Sequence, residues 1–249
     1  MRAYFRLGLI AVWVSTTFSF RLIGLIAVPF SHRIAEWFPK TAFVACSRGI
    51  LVITGIKLSV EGVAPKSPFF LVSNHVSFFD VFVLASRLGC VFVSKAELGD
   101  WPLLGFIARA MSTIYIRRED MRDTHRVNQE ITSVMNDGLG VVVFAEGTVT
   151  QTGQLLDFKP ALLQPAVELE MPVHVASIHY ATPHAPERAG KDILWRDGVS
   201  LIQHFRNIAG LRSCEVTLVF SEETVRLDNR KQLAIALREA VGRIHRPVV

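Results

Sequence analysis

The chain has 249 residues, half of them hydrophobic, with 27 Lys+Arg against 22 Asp+Glu and three cysteines. That length suits one α/β domain with a full core, and the mild basic excess suits an anionic membrane surface or a phosphate-bearing substrate, with no nucleic-acid partner expected. Cys46, Cys90 and Cys214 are odd in number, far apart and without metal-ligand spacing, so neither a disulfide framework nor a metal site is expected, and a reducing compartment is.

Residues 7–30 are almost continuously apolar, interrupted by Arg21 and closed near Pro29. The stretch is long enough to cross a bilayer or to lie partly in it. No small-x-small cleavage site follows, so an uncleaved membrane segment is expected rather than a secretory signal. A second helical pattern runs from His32 to Lys57, with Trp37, Phe38, Phe43, Val44, Ile50, Leu51, Ile53 and Ile56 interleaved with Arg33, Lys40 and Arg48. Residues 1–60 hold seven basic side chains and one acid, Glu36. Apolar helices studded with Lys and Arg favour the membrane interface. Two arrangements follow: a hairpin immersed in one leaflet, or a transmembrane helix followed by a core helix. Residues 1–57 are thus expected to form a membrane-associated unit and 58–249 a second one.

After Leu58 short apolar runs alternate with helical ones. Strands are expected near 58–63, 69–73, 90–95, 113–117, 141–145, 172–179 and 214–220, and helices near 77–87, 103–110, 120–136, 160–169, 199–208 and 229–244. This alternation predicts an α/β fold, a mixed, mostly parallel sheet of about seven strands flanked by helices. Residues 181–197, with Pro183, Pro186 and Gly190, read as a flexible excursion.

The strand 69–73 stops at Asn74-His75, and a helix-forming run opens beyond. An imidazole is therefore left at the carboxyl end of a strand, where open α/β sheets bind ligands. On a continuous helix His75 and Asp80 would lie roughly 140° apart. They meet only if the chain turns between them, and Ser77 supplies an N-cap for that turn, with Asp80 as its capping-box partner or first-turn acid. A carboxylate on one imidazole nitrogen fixes the tautomer and raises the basicity of the other, as a general base acting on a hydroxyl requires. No nucleophile elbow is present, so direct attack by an external alcohol is the simpler chemistry.

Further strand ends carry chemistry. Lys95 closes the strand 90–95 and could neutralise an anion. The strand 113–117 ends in Arg117 and Arg118, a pair able to clamp phosphate or carboxylate. Val141 to Ala145 ends in Glu146-Gly147-Thr148, in which glycine permits a tight turn, and Glu146 either meets a cation or orients a substrate hydroxyl. Phe158-Lys159-Pro160 opens a helix.

Asn74-His75-x-Ser77-x-x-Asp80, the Lys95/Glu97/Leu98/Pro102/Gly105 segment, the strand ending at Arg118, Phe144-x-Glu146-Gly147-Thr148, Phe158-Lys159 and Met171-Pro172-Val173 stand in the order and spacing of the glycerolipid acyltransferase family, which the chain resembles over about residues 58–220. The best-known members are the 1-acylglycerol-3-phosphate acyltransferases. The resemblance implies that His75 deprotonates a lysolipid hydroxyl for attack on the thioester of acyl-CoA or acyl-carrier protein, with Asp80 orienting it. Glu146, Gly147, Thr148, Arg118 and Lys95 would hold the acceptor, supported by Asn74, Ser77, Arg117 and Lys159. It implies no metal and no bound cofactor, and a place at the bilayer on the cytoplasmic face of the inner membrane.

Ala145 stands where many members have Pro, Val149 where many have Arg, and Ser112 where glycine is frequent. Losing Arg at 149 removes the obvious phosphate ligand, leaving Lys95, Arg117, Arg118 and Lys159 as replacements. The run from Glu146 to Lys159 and Trp195-Arg196-Asp197-Gly198 look like the branch that acylates lyso-ornithine lipid. Lysophosphatidate is the default acceptor and lyso-ornithine lipid the alternative. An acyl thioesterase and a catalytically silent lipid-binding protein are the rival classes.

Overall fold

The computed structural model describes residues 1–26, 32–100, 113–117 and 119–248, and the side chains of these other than 20–26, 32–40 and 100. Seven strands form one sheet among the described residues: β1 (Ile56–Glu61), β2 (Phe70–Ser73), β3 (Cys90–Lys95), β4 (Ile114–Ile116), β5 (Gly140–Val143), β6 (Val173–Ala181) and β7 (Cys214–Val225). Their order is β1-β7-β6-β2-β5-β3-β4. All neighbouring pairs are parallel except β6 with β7. The expected mixed, mostly parallel sheet is therefore present.

The central strands are short and apolar throughout because both faces are covered. The side chains divide by alternation. Leu71, Phe92, Val142, Ile178 and Leu218 enter one core layer with helices α1 (Arg2–Ile26), α2 (His32–Thr54) and α3 (Phe79–Ala85). Phe70, Val72, Val93, Val141, Val143 and Val175 enter the other, with α4 (Met121–Asn136) and, further along the chain, α7 (Arg230–Ile244). Between these lie α5 (Gln164–Glu168) and α6 (Leu201–Gly210).

The stretch expected as one helix over 160–169 divides into a 3₁₀ turn, Pro160–Leu163, and α5. Pro165 has no N–H to continue the ladder across that junction. The helix expected at 103–110, with Ser112, lies outside the described residues.

The first two helices are part of the core. Ile10, Phe43, Cys46, Ile50 and Leu51 belong to the same apolar layer as Leu71 and Ile178. Trp13 donates its indole N–H to the Cys46 carbonyl at 3.2 Å, and its ring occupies the space that a β-carbon at Gly49 would need. Glycine there is what lets α1 and α2 approach. Arg6 donates to the carbonyls of Ala209 (3.2 Å) and Leu211 (2.7 Å), tying α1 to the end of α6. Among the described residues no helix is long and apolar enough to cross a membrane. Ser15, Thr16, Thr17 and Ser19 break the apolar run, each turning its hydroxyl back to a carbonyl of its own helix. Tyr4, Phe5, Leu9 and Val12 remain exposed on α1.

The segment expected as a flexible excursion is packed. It contains a helical turn, Pro186–Arg188, and a π-helical turn, Ala189–Ile193. Ala189, Ile193 and Leu194 are buried, and Arg188 bonds Asp192 at 2.6 Å. Its apolar residues are too sparse to show a period in the sequence.

Candidate active site

Because β2, β5 and β3 run parallel, their carboxyl ends meet at one edge of the sheet. Asn74, buried just past β2, donates to the Ile178 carbonyl (2.9 Å) and accepts from the Ile178 N–H (2.7 Å). This two-point bond to β6 fixes the backbone where His75 emerges. Glycine is not needed there; the rigidity comes from the amide.

The chain then turns so that the Asp80 N–H reaches the Ser77 carbonyl at 3.1 Å. The Asp80 carboxylate is carried back over residues 75–77, where Oδ2 meets His75 Nδ1 at 2.8 Å. The same oxygen accepts from the N–H groups of Val76 (2.7 Å) and Ser77 (2.9 Å). The other, Oδ1, accepts from the Tyr180 hydroxyl at 2.7 Å. Asp80 is wholly buried and the His75 side chain is 16% exposed. Each oxygen of the buried carboxylate thus has a donor, and its bond to Nδ1 fixes the imidazole in one orientation.

Ser77 makes the capping contacts expected of it, although the helix begins at Phe79, one residue later than a Ser77 cap implies. Its hydroxyl accepts from the Phe79 N–H (3.2 Å), its own N–H is one that Asp80 reaches back to, and the hydroxyl also meets His204 Nε2 at 2.9 Å. Burial pushes the His204 imidazole down to about 4, so it is neutral near pH 7.

The His75 ring stacks on Phe144, with centroids 4.0 Å apart. With Nδ1 engaged, Nε2 has no protein partner among the described residues, and His75 lines a cleft of about 400 Å³. Its walls are Phe43, Phe78, Phe82, Phe92, Phe144 and Trp195. Its polar lining includes Lys95, Glu97, Thr148, Arg196 and Asp197. A long apolar chain and a charged head group can thus both reach the imidazole.

The remaining expected site residues divide. Lys95 and Thr148 line the cleft. Glu146, expected to hold the acceptor, is 1% exposed and turned into the protein. Its Oε1 accepts from the His75 N–H (2.9 Å) and Oε2 from the Leu156 N–H (3.2 Å), so it clasps two loops at the site's floor. Gly147 has φ +74°, and the Lys159 side chain packs where its β-carbon would lie. Both line a second cavity of about 140 Å³ that shares Val93 and Phe144 with the first. Arg117 is exposed and lines neither cavity; its N–H donates to Asp123 at 2.6 Å. Arg118 lies outside the described residues. Sequence reasoning missed Tyr180 and His204. The available signal was a tyrosine at a buried position in an apolar strand, whose hydroxyl must find a partner.

Burial pushes the Glu146 carboxyl up to about 7, against the two backbone bonds that favour its anion. The folded state therefore holds this proton where the unfolded chain has released it. The stability it contributes is present below about 4.5 and is lost as pH rises through about 7. His204 acts in the opposite sense at lower pH, so the comparison is between variants. In E146Q the slope of melting temperature against pH is expected to lose its fall between pH 5 and 7.5. Identical slopes in detergent-solubilised wild type and variant would show that Glu146 does not hold that proton.

A model of the family described as Acyltransferase matches residues 56–180. Among curated proteins, the chain is 32% identical over 182 residues to a lyso-ornithine lipid O-acyltransferase of Pseudomonas aeruginosa, covering 73% of this chain and 66% of that one. It is 31% identical over 224 residues to a lyso-ornithine lipid O-acyltransferase of Rhizobium meliloti, covering 84% and 75%. A 1-acyl-sn-glycerol-3-phosphate acyltransferase of Neisseria meningitidis is 30% identical over 141 residues, covering 56% and 55%. Among solved structures, the crystal structure of the 1-acyl-sn-glycerophosphate (LPA) acyltransferase PlsC from Thermotoga maritima superposes with a TM-score of 0.64 over 98% of this chain and 97% of that one. At 18% identity that likeness is one of fold.

Proposed function

This chain belongs to the acyltransferase family, and we propose that it moves a fatty acyl group from acyl-CoA or acyl-carrier protein to the free hydroxyl of a lysolipid at the cytoplasmic face of a membrane. The observation that carries this is the 2.8 Å bond between His75 Nδ1 and a wholly buried Asp80 at the mouth of an apolar cleft. His75 Nε2 takes the acceptor's hydroxyl proton as the oxygen attacks the thioester carbonyl. The carbon–sulfur bond then breaks, and the departing thiolate takes the same proton from the imidazole. Asp80 stays ionised throughout and offsets the positive charge that His75 carries between the two transfers.

The exposed Tyr4, Phe5, Leu9 and Val12 on α1 support a hairpin lying in one leaflet, with Arg2 and Arg6 near its start. An acyl-CoA or acyl-carrier-protein donor arriving from the cytoplasm is what supports the choice of face. Incubation with one labelled acyl thioester and a panel of lysolipids tests the reading: acylated lipid should appear only with an acceptor. Thioester consumption indifferent to the acceptor would make the protein a thioesterase instead.

A specific observation bears on the acceptor. Lys95 and Glu97, and Arg196 and Asp197, line one cleft, and none of the four side chains is ion-paired among the described residues. A phosphate monoester calls for concentrated positive charge, and position 149, where many members carry Arg, is Val. An acceptor bearing both a carboxylate and an ammonium, as lyso-ornithine lipid does, matches mixed charge better than 1-acylglycerol-3-phosphate. D197N is therefore expected to lower kcat/KM for lyso-ornithine lipid by about tenfold while leaving turnover of 1-acylglycerol-3-phosphate unchanged or raised. Equal loss on both acceptors would remove Asp197 from head-group recognition.

A further inference from the structure

Nothing in the family motif accounts for the second oxygen of Asp80. Oδ2 is committed to His75 and two backbone N–H groups, which leaves Oδ1 to be satisfied from elsewhere. Its donor comes from β6, where the Tyr180 hydroxyl donates to Oδ1 at 2.7 Å and adds a second anchor to the carboxylate. Tyr180 is fully buried and lies 100 residues away in sequence. Its strand is fixed on both sides, paired with β2 and with β7, where Tyr180 stands opposite Val216. The Asn74 clasp on Ile178 ties the same stretch of β6 to the backbone beside His75. The catalytic carboxylate and the catalytic imidazole are thus referred to one strand, two residues apart along it.

We propose that Tyr180 is a positioning residue for acyl transfer, its hydroxyl holding Asp80 in the orientation that meets His75 Nδ1 and satisfying the oxygen that would otherwise be free to take up a proton. The inference rests on the His75–Asp80 reading above and extends it to a third side chain that touches neither substrate. Burial, and after it the charge of Asp80, hold the phenol well above its ordinary value. The hydroxyl therefore remains a donor throughout the physiological range. A protonated Asp80 would leave the imidazolium without its counter-charge, and a rotated one would break the 2.8 Å bond; a fixed donor on Oδ1 opposes both.

The test is a double-mutant cycle with D80N. Y180F keeps the ring and removes only the hydroxyl. It is expected to lower kcat about tenfold, with KM for thioester and lysolipid within about twofold, because Tyr180 lines neither substrate surface. In the D80N background the same change is expected to alter kcat by less than about twofold, since its effect runs through the carboxylate. Independent losses that multiply in the double variant would show that Tyr180 serves only the core, and an unchanged kcat in Y180F would overturn the proposal outright. Should Y180F melt early, 3-fluorotyrosine placed at position 180 keeps both shape and hydrogen bond and is expected to restore kcat; failure to do so counts against the proposal. If D80N itself turned over at the wild-type rate, the underlying mechanism would be at fault rather than the role of Tyr180.

Discussion

Replacing His75 by alanine is expected to lower kcat by about 10²–10⁴-fold while leaving KM for both substrates within about threefold. The imidazole lines the cleft with its Nδ1 held by Asp80, and in the proposed mechanism its loss leaves the acceptor hydroxyl with no base positioned to take its proton. Binding should survive because the cleft is built from aromatic walls and rim charges that the substitution does not touch. The fold should survive as well: Asp80 keeps the N–H groups of Val76 and Ser77 and the Tyr180 hydroxyl. Steady-state kinetics with a labelled thioester, beside a melting curve, measure this. Activity within threefold of wild type in a folded H75A protein would sink the base assignment.

Asp80→Asn is expected to be comparably severe, with kcat down about 10³–10⁴-fold. The reason is a count of acceptors. In the native site one oxygen receives three donors and the other receives the tyrosine hydroxyl. An amide offers one oxygen and an NH₂ group. With the oxygen toward Val76 and Ser77, the NH₂ faces a hydroxyl that must rotate to accept; flipped, it faces two backbone N–H groups. Neither orientation supplies the negative charge that an imidazolium needs. The H75A/D80N double variant is expected to be no slower than the poorer single variant, because the two residues act as one unit. Losses that multiplied would show that Asp80 contributes by some route other than the imidazole.

Strand positions were legible from short β-branched runs, and the His75–Asp80 contact followed from a strand end, a turn and a first-turn acid. These are local patterns, set by sterics over five residues. The supports of that contact are not local. Tyr180 reaches Asp80 across 100 residues and His204 reaches Ser77 across 127, so only the sheet order brings them together. Glu146 read as an acceptor ligand because it follows an apolar strand, yet its side chain bonds backbone N–H groups that no sequence pattern reveals. Residues 181–197 read as loose because Pro183, Pro186 and Gly190 punctuate them. A few apolar side chains, Ala189, Ile193 and Leu194, are enough to seat them.

Phe43 belongs to α2 and also forms part of the cleft wall beside His75. The helix that would rest among lipid tails is thus one side of the reaction chamber. In the proposed arrangement, a fatty tail leaving the bilayer would enter between surfaces that are themselves greasy. If the first two helices anchor the protein as proposed, anchoring and chemistry are one construction: shaving off those helices would open the chamber along its flank, where Phe43 stands.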